Sequence, residues 1–166
     1  MLIEPRTGTD PELHALIAEQ QRELASVSGE DETVYPVRTG ATYLVGIVNG
    51  HAVACGAVVT LDPDTAEIKR MFVRPAFRGQ GYSRAILAEL EELAARAGYR
   101  VLRLETGGYL PVAISLYRSA GYRPVAPTAS TWTTRTASVS RSACLFWPDL
   151  SVFGVRYRGM AMAVQR

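Results

Sequence analysis

Val73-Arg74-Pro75-Ala76-Phe77-Arg78-Gly79-Gln80-Gly81-Tyr82-Ser83 is the stretch on which the fold turns. A β-rich run ends at Val73, Pro75 breaks it, and a helical apolar period begins after Gly81. Ile86, Leu90, Leu93, Ala94 and Ala97 fall at i, i+4, i+7, i+8 and i+11, one face of a helix running from Gly81 to about Ala97. A helix start carries free backbone N–H groups and the positive end of the macrodipole, so it attracts anions. Gly79 and Gly81 let a phosphate approach the backbone closely. No Asp or Glu occupies the first turn, where a helix usually places one. The loop lacks the Gly-Lys-Ser/Thr of a nucleoside-triphosphate loop and the full GxGxxG spacing of a dinucleotide site.

Upstream, residues 66 to 73 read as a strand entered through the turn Asp62-Pro63-Asp64. Residues 41 to 48 and 51 to 60 are β-rich runs joined by Asn49-Gly50, a strong hairpin signal. Leu2 to Arg6 reads as an opening strand. Thr9-Asp10-Pro11-Glu12 reads as a helix start, with Thr9 the expected cap and Leu13, Leu16, Ile17 and Leu24 at helical spacing. Residues 25 to 40 are expected to be irregular and acidic. Downstream, Gly98 ends the long helix. Val101 to Leu104 is a strand. Pro111 opens a helix with Ala113, Leu116, Tyr117 and Ala120 on one stripe, and Tyr122 to Val125 is a last short strand. The order β, α, β, β, β, α, β, α, β is that of a mixed α/β domain, with hairpins first and βαβ crossovers after.

Composition narrows the classes. The 166 residues, 48% hydrophobic and 20% charged, suit one globular domain. No run approaches the roughly 20 apolar residues of a membrane helix. The opening Met-Leu-Ile-Glu-Pro-Arg has no signal-peptide segment, so a cytoplasmic location is expected. Cys55 and Cys144 form neither a disulfide framework nor a zinc cluster, and no metal site is expected. Cys55 reads as a small buried hydrophobe, and His14 and His51 as surface residues. The net charge of +2 is uneven: only Asp149 balances five arginines after residue 127. That basicity belongs to the end of the chain, so neither nucleic acid nor membrane is an expected partner. Of 18 basic residues only Lys69 is lysine, a bias that fits a GC-rich, bacterial genome.

Taken together, the loop, the strand before it and the later helix resemble the GNAT superfamily of acyl-CoA-dependent N-acetyltransferases. Its pyrophosphate motif, Gln/Arg-x-x-Gly-x-Gly/Ala, is matched by Arg78-Gly79-Gln80-Gly81-Tyr82-Ser83, with Ser83 in place of Gly/Ala. Glu67-Ile68-Lys69-Arg70-Met71-Phe72-Val73 resembles the family's splayed fourth strand. Ala113 to Tyr122 resembles its second cofactor motif. Leu110 departs from the polar residue often found three before the helix Ala. The resemblance covers roughly residues 2 to 125. It implies a mostly antiparallel sheet flanked by helices, acetyl-CoA as co-substrate, and direct transfer of the acetyl group to a small primary amine in a ternary complex. The alternative is a CoA-binding regulatory or degenerate domain without turnover.

The resemblance also implies roles. The backbone at Arg78, Gly79, Gln80, Gly81, Tyr82 and Ser83 would cradle the pyrophosphate. Main-chain groups of Met71 and Val73 would pair with pantetheine as an added strand. A backbone N–H near Phe72 would polarise the thioester carbonyl. Glu67 stands at the general-base position and Tyr117 at the general-acid position. The chemistry asks for both: an amine of pKa ~10.4 must lose a proton to attack, and a leaving thiolate of pKa ~8.5 gains from a phenol of pKa ~10. Glu67 equally reads as a cross-strand partner of a basic residue, Glu105 as a rival base, and Tyr117 as a core residue. Glu30, Asp31 and Glu32 hint at a cationic acceptor but also read as a solvated loop. A homodimer is left open.

The 1–127 segment is therefore read as the family domain, and 128–166 as an atypical Thr/Ser/Arg-rich ending. Nine of the fifteen residues from Thr128 to Ser142 are Thr or Ser. Two readings stand. One is a frame shift near the Pro127 codon: under one choice of synonymous codons, the alternative frame contains Ser-Val-Cys-Leu, which resembles the family's last strand. The other is a loop insertion before a replacement strand at Ser151 to Val164.

Overall fold

A computed structural model describes residues 1–28, 37, 40–125 and 142–146. The chain runs β1 (Leu2–Arg6), α1 (Pro11–Ser28), β2 (Ala41–Val48), β3 (His51–Thr60), β4 (Thr65–Val73), a 3₁₀ turn (Pro75–Phe77), α2 (Tyr82–Arg96), β5 (Val101–Gly107), α3 (Pro111–Ser119), β6 (Arg123–Val125) and β7 (Ser142–Phe146). Among the described residues one sheet holds seven strands in the order β1-β2-β3-β4-β5-β7-β6. Every neighbouring pair is antiparallel except β4 and β5, which α2 connects as a crossover. The expected mixed, mostly antiparallel sheet flanked by helices is the observed one.

Local chemistry explains most boundaries. Asn49 (φ 51°) and Gly50 (φ 78°) both take left-handed backbone, as a two-residue hairpin turn requires, and β2 pairs with β3 across them. The first helix is capped by Asp10, not by the expected Thr9. Asp10 Oδ1 accepts from the Leu13 N–H at 2.9 Å, the third residue after the cap, and Pro11 takes the first helical position. α1 also continues to Ser28, four residues into the stretch expected to be irregular. Glu30 to Glu32 lie outside the described residues.

The sheet is covered on both sides. Leu13, Leu16 and Ile17 of α1 pack on Tyr43, Val45, Ala52, Cys55, Ala57 and Phe72. On the other face Ile86, Leu87, Leu90 and Ala94 of α2 pack with Val53, Val58, Ile68, Leu102, Leu104, Tyr117 and Tyr122. Burial on both faces explains why β3 is buried from Ala52 to Val59 instead of alternating. Within the described residues, β7 comes from the Thr/Ser-rich ending and inserts between β5 and β6. The Ser151–Val164 stretch lies outside the described residues.

Candidate active site

The site begins where two strands part. β4 and β5 run side by side only from Thr65–Ile68 against Val101–Leu104. Beyond that, β5 continues to Gly107 along β7, while β4 continues to Val73 along β3. The opening lies at the carboxyl ends of two parallel strands. The chain then enters α2 and α3, so both helix starts follow from that end of the sheet. This is where α/β sheets place ligands.

The glycine loop supplies the anion-binding part. Gly79 (φ 76°) and Gly81 (φ 80°) are both left-handed, and a Cβ built on either would meet no atom within 4 Å. Gly81 caps α2 with no side-chain hydrogen bond, and the first turn holds no acid. The amides of this first turn have no helical partner by construction. A phosphate fits such a cradle in charge and in space. Tyr82 donates its hydroxyl proton to Gln80 Oε1 (3.0 Å), which ties the loop to the helix, and Ser83 is half-buried in the first turn. Arg78 faces elsewhere. Its Nε donates to Val73 O (2.9 Å), its Nη2 meets Glu23 Oε2 (2.6 Å), and it lies over the Phe72 ring. Its amide closes the 3₁₀ turn on Pro75 O. Arg78 thus holds the loop against α1, and the open amides are those that follow it.

β4 reaches the opening through a bulge. Two residues, Arg70 and Met71, stand opposite Gly56 alone, and Arg70 has φ 59°. After the bulge the ladder resumes with Cys55 opposite Phe72 and Ala54 opposite Val73. The Arg74 N–H donates to Val53 O at 2.8 Å. By the alternation of antiparallel ladders, Phe72 then points its N–H and C=O at β3, while Val73 points its own towards the opening. The amide facing the opening is that of Val73, and the Phe72 side chain is core. Val73 O is already shared with Arg78, and Met71 O accepts from Gln20 Nε2 at 2.9 Å. Gln20 is buried on α1 and escaped the sequence reading, because a polar residue between Ile17 and Leu24 gives no apolar signal.

The two expected catalytic side chains are both buried. Glu67 is 8% exposed, on the last part of β4 still paired with β5, with Arg103 opposite it. Its Oε1 meets Lys69 Nζ at 2.8 Å, two residues along the same strand face. Its ion-pair partner is therefore on its own strand. Glu105, the rival base, is exposed on β5. Tyr117 is 6% exposed and stands edge-on to Tyr122, with ring centroids 5.9 Å apart. Burial pushes its hydroxyl up to about 12. Leu110 precedes α3 without a side-chain cap, so no polar group of its own stands in for the family's usual residue there.

Behind Tyr122 lies Glu91 of α2, whose carboxyl faces the Tyr122 hydroxyl. Burial raises Glu91 from the usual 4.5 to about 7, and the Tyr122 hydroxyl partly offsets this. The folded chain therefore holds that proton more tightly than the unfolded one, and stability falls as pH rises from 4.5 through 7. Glu91→Gln removes the ionisation. In urea unfolding the variant should gain on the wild type between pH 5 and pH 8. Glu91 is partly exposed, so the gap is on the order of 1 kcal/mol. An equal difference at both pH values would remove Glu91 from the account.

Among the described residues no cluster of His, Cys, Asp or Glu could hold a metal, and no helix is long and apolar enough to cross a membrane. The model of the acetyltransferase (GNAT) family matches residues 11–122. An IAA acetyltransferase of Azospirillum brasilense is 40% identical over 86 residues, covering 51% of this chain and 56% of that protein. An N-acetylaspartate synthetase of Danio rerio is 33% identical over 98 residues, covering 58% and 35%. The matches thus span about half or less of these curated relatives. A solved Klebsiella pneumoniae structure assigned to the acyl-CoA N-acyltransferases is 30% identical, with a TM-score of 0.72, covering 89% of this chain and 96% of that one. A GNAT family acetyltransferase of Elizabethkingia anophelis, solved with acetyl-CoA bound, shares the fold at a TM-score of 0.64 and 19% identity, covering 89% and 97%.

Proposed function

The chain belongs to the GNAT acetyltransferase family, and on that premise we propose that it moves an acetyl group from acetyl-CoA to a small primary amine by direct transfer in a ternary complex. The observation that carries the reading is the uncapped start of α2, where Gly79 and Gly81 are left-handed and open to solvent beside the parting of β4 and β5. The acetyl-CoA-bound neighbour with the same fold and the acetyltransferase names of the relatives support it.

In this reading the amides of Gly79 to Ser83 hold the pyrophosphate. The Val73 amide hydrogen-bonds to the acyl carbonyl or to the pantetheine beside it. Glu67, whose carboxylate Lys69 orients, takes a proton from the amine through water. Tyr117 donates a hydrogen bond to the departing sulfur as the C–N bond forms and the C–S bond breaks, and the thiolate takes its proton from solvent. Cys55 does not carry the acyl group: burial pushes its thiol up to about 12, far from a reactive thiolate. Residues 1–127 form the family domain, and 128–166 is its atypical ending, which supplies β7. The protein works in the cytoplasm on a small molecule, without nucleic acid or membrane.

The test is a panel of amines (polyamines, amino acids, aminoalkyl compounds) incubated with acetyl-CoA, with free thiol and acetylated product measured together. At least one amine should give stoichiometric CoA and N-acetyl product. Tight CoA binding with no amine-dependent release across the panel would favour the domain without turnover.

A further inference from the structure

The β4 bulge is anchored by two buried polar side chains, Cys55 on the neighbouring strand β3 and Gln20 on α1. Arg70 O accepts from Cys55 Sγ at 3.2 Å, and Met71 O from Gln20 Nε2 at 2.9 Å. A bulge takes backbone groups out of the ladder, and a buried carbonyl left without a donor costs about 1–3 kcal/mol. The high pKa keeps the Cys55 thiol protonated, so it remains a donor. Gln20 is nine-tenths buried, yet its Oε1 has no hydrogen-bond partner among the described residues. An apolar residue of the same length would pack there without that unpaired oxygen. What Gln20 adds is the N–H on Met71 O. Met71 stands two residues before Val73, whose amide faces the opening. Neighbouring ion pairs fix the same face of α1: Glu19 binds Arg74 through two bonds (2.8 and 3.0 Å), and Glu23 binds Arg78. Gln20 sits between them and reaches the bulge itself.

We propose that Gln20 is a positioning residue for acyl transfer: by holding the Met71 carbonyl it sets the β4 bulge so that the Val73 amide is aimed at the thioester. The inference rests on the acetyl-CoA reading of the site. It also makes α1 part of the catalytic apparatus. An acceptor that shifts α1 would then shift the amide that activates the acyl group.

The test compares the wild type with Gln20→Met, which keeps the length and removes both the donor and the unpaired oxygen. Infrared spectra are taken with acetyl-CoA carrying ¹³C at the thioester carbonyl. Bound to wild type, that carbonyl should absorb below its free frequency. In Gln20→Met the shift should shrink, and kcat should fall roughly 10–100-fold while the KM for acetyl-CoA stays within a few-fold. A merely structural Gln20 would lower the melting temperature and leave the bound carbonyl frequency unchanged, which overturns the proposal. If Gln20→Met does not fold, Gln20→Leu serves, since it also has no donor to give and leaves no polar atom buried. If wild type binds no acetyl-CoA, the site reading fails on its own. The anchor is then judged in the ligand-free protein from the amide chemical shifts of Met71 to Val73, and their identity in wild type and variant would overturn it.

Discussion

Gly81→Asp should still fold, with a small loss of stability from its left-handed backbone, and lose at least 100-fold in acetyl-CoA affinity by calorimetry. Two facts separate the effects. Gly81 has φ 80°, a region that Asp tolerates better than most residues, and a Cβ there meets nothing within 4 Å. An Asp at this position also places a carboxylate at the start of α2, where the helix dipole favours negative charge. The substitution therefore supplies intramolecularly the anion that the helix start lacks. It blocks the amides and sets a negative charge against the phosphates. A loss of about 3 kcal/mol corresponds to that 100-fold. Thermal stability checks the first half of the expectation, and titration checks the second. Wild-type affinity in a folded Gly81→Asp protein would mean that CoA binds elsewhere.

Tyr117→Phe should lower kcat roughly 10²–10⁴-fold with little change in CoA affinity. Phe keeps the buried ring and its edge-on packing against Tyr122, so only the hydroxyl is lost. The raised pKa, about 12, has a consequence for the pH profile. Tyr117 stays protonated through the working range, so its ionisation removes no activity below about pH 11. A fall in kcat between pH 8 and 10 would belong to another group. The phenol is a weaker acid than the thiol it serves. Its contribution is thus a hydrogen bond that strengthens as negative charge grows on sulfur, which is transition-state binding. Full turnover in Tyr117→Phe would return Tyr117 to a purely packing role, alongside Leu104 and Tyr122.

The elements were largely legible because their signals are local. Asn49-Gly50 fixes a turn, Ile86 to Ala97 fixes a helical face, and the order of strands and helices follows from these periods. The glycine loop was legible for the same reason: two glycines and the absence of an acid are visible in eleven consecutive residues. What stayed hidden depends on contacts between distant segments. Arg78 reads as a phosphate-side residue in its motif, yet Glu23, 55 positions away, draws it to α1. Gln20 breaks an apolar period and so looks like surface, although it is buried on a carbonyl that only the bulge exposes. The bulge leaves no mark in the β-rich run from Glu67 to Val73. Arg70 is no glycine, so nothing advertises its positive φ. β7 was missed because Ser142 to Phe146 closes a Thr/Ser-rich stretch, where composition masks a five-residue strand. For Glu67 the sequence left base and cross-strand ion-pair partner equally open. The ion pair is instead with Lys69 on the same strand, and it is compatible with the base role when the lysine orients the carboxylate.

The pyrophosphate of CoA is expected on the backbone at the start of α2. Amide NMR of the uniformly ¹⁵N-labelled protein, titrated in parallel with CoA and with pantetheine, tests it most directly. CoA should shift the amide resonances of Gly79 to Ser83 and slow their exchange with solvent, while pantetheine, which has no pyrophosphate, should leave these amides in place and move only those near Val73. Saturation with CoA that leaves the Gly79–Ser83 amides unmoved would contradict the account.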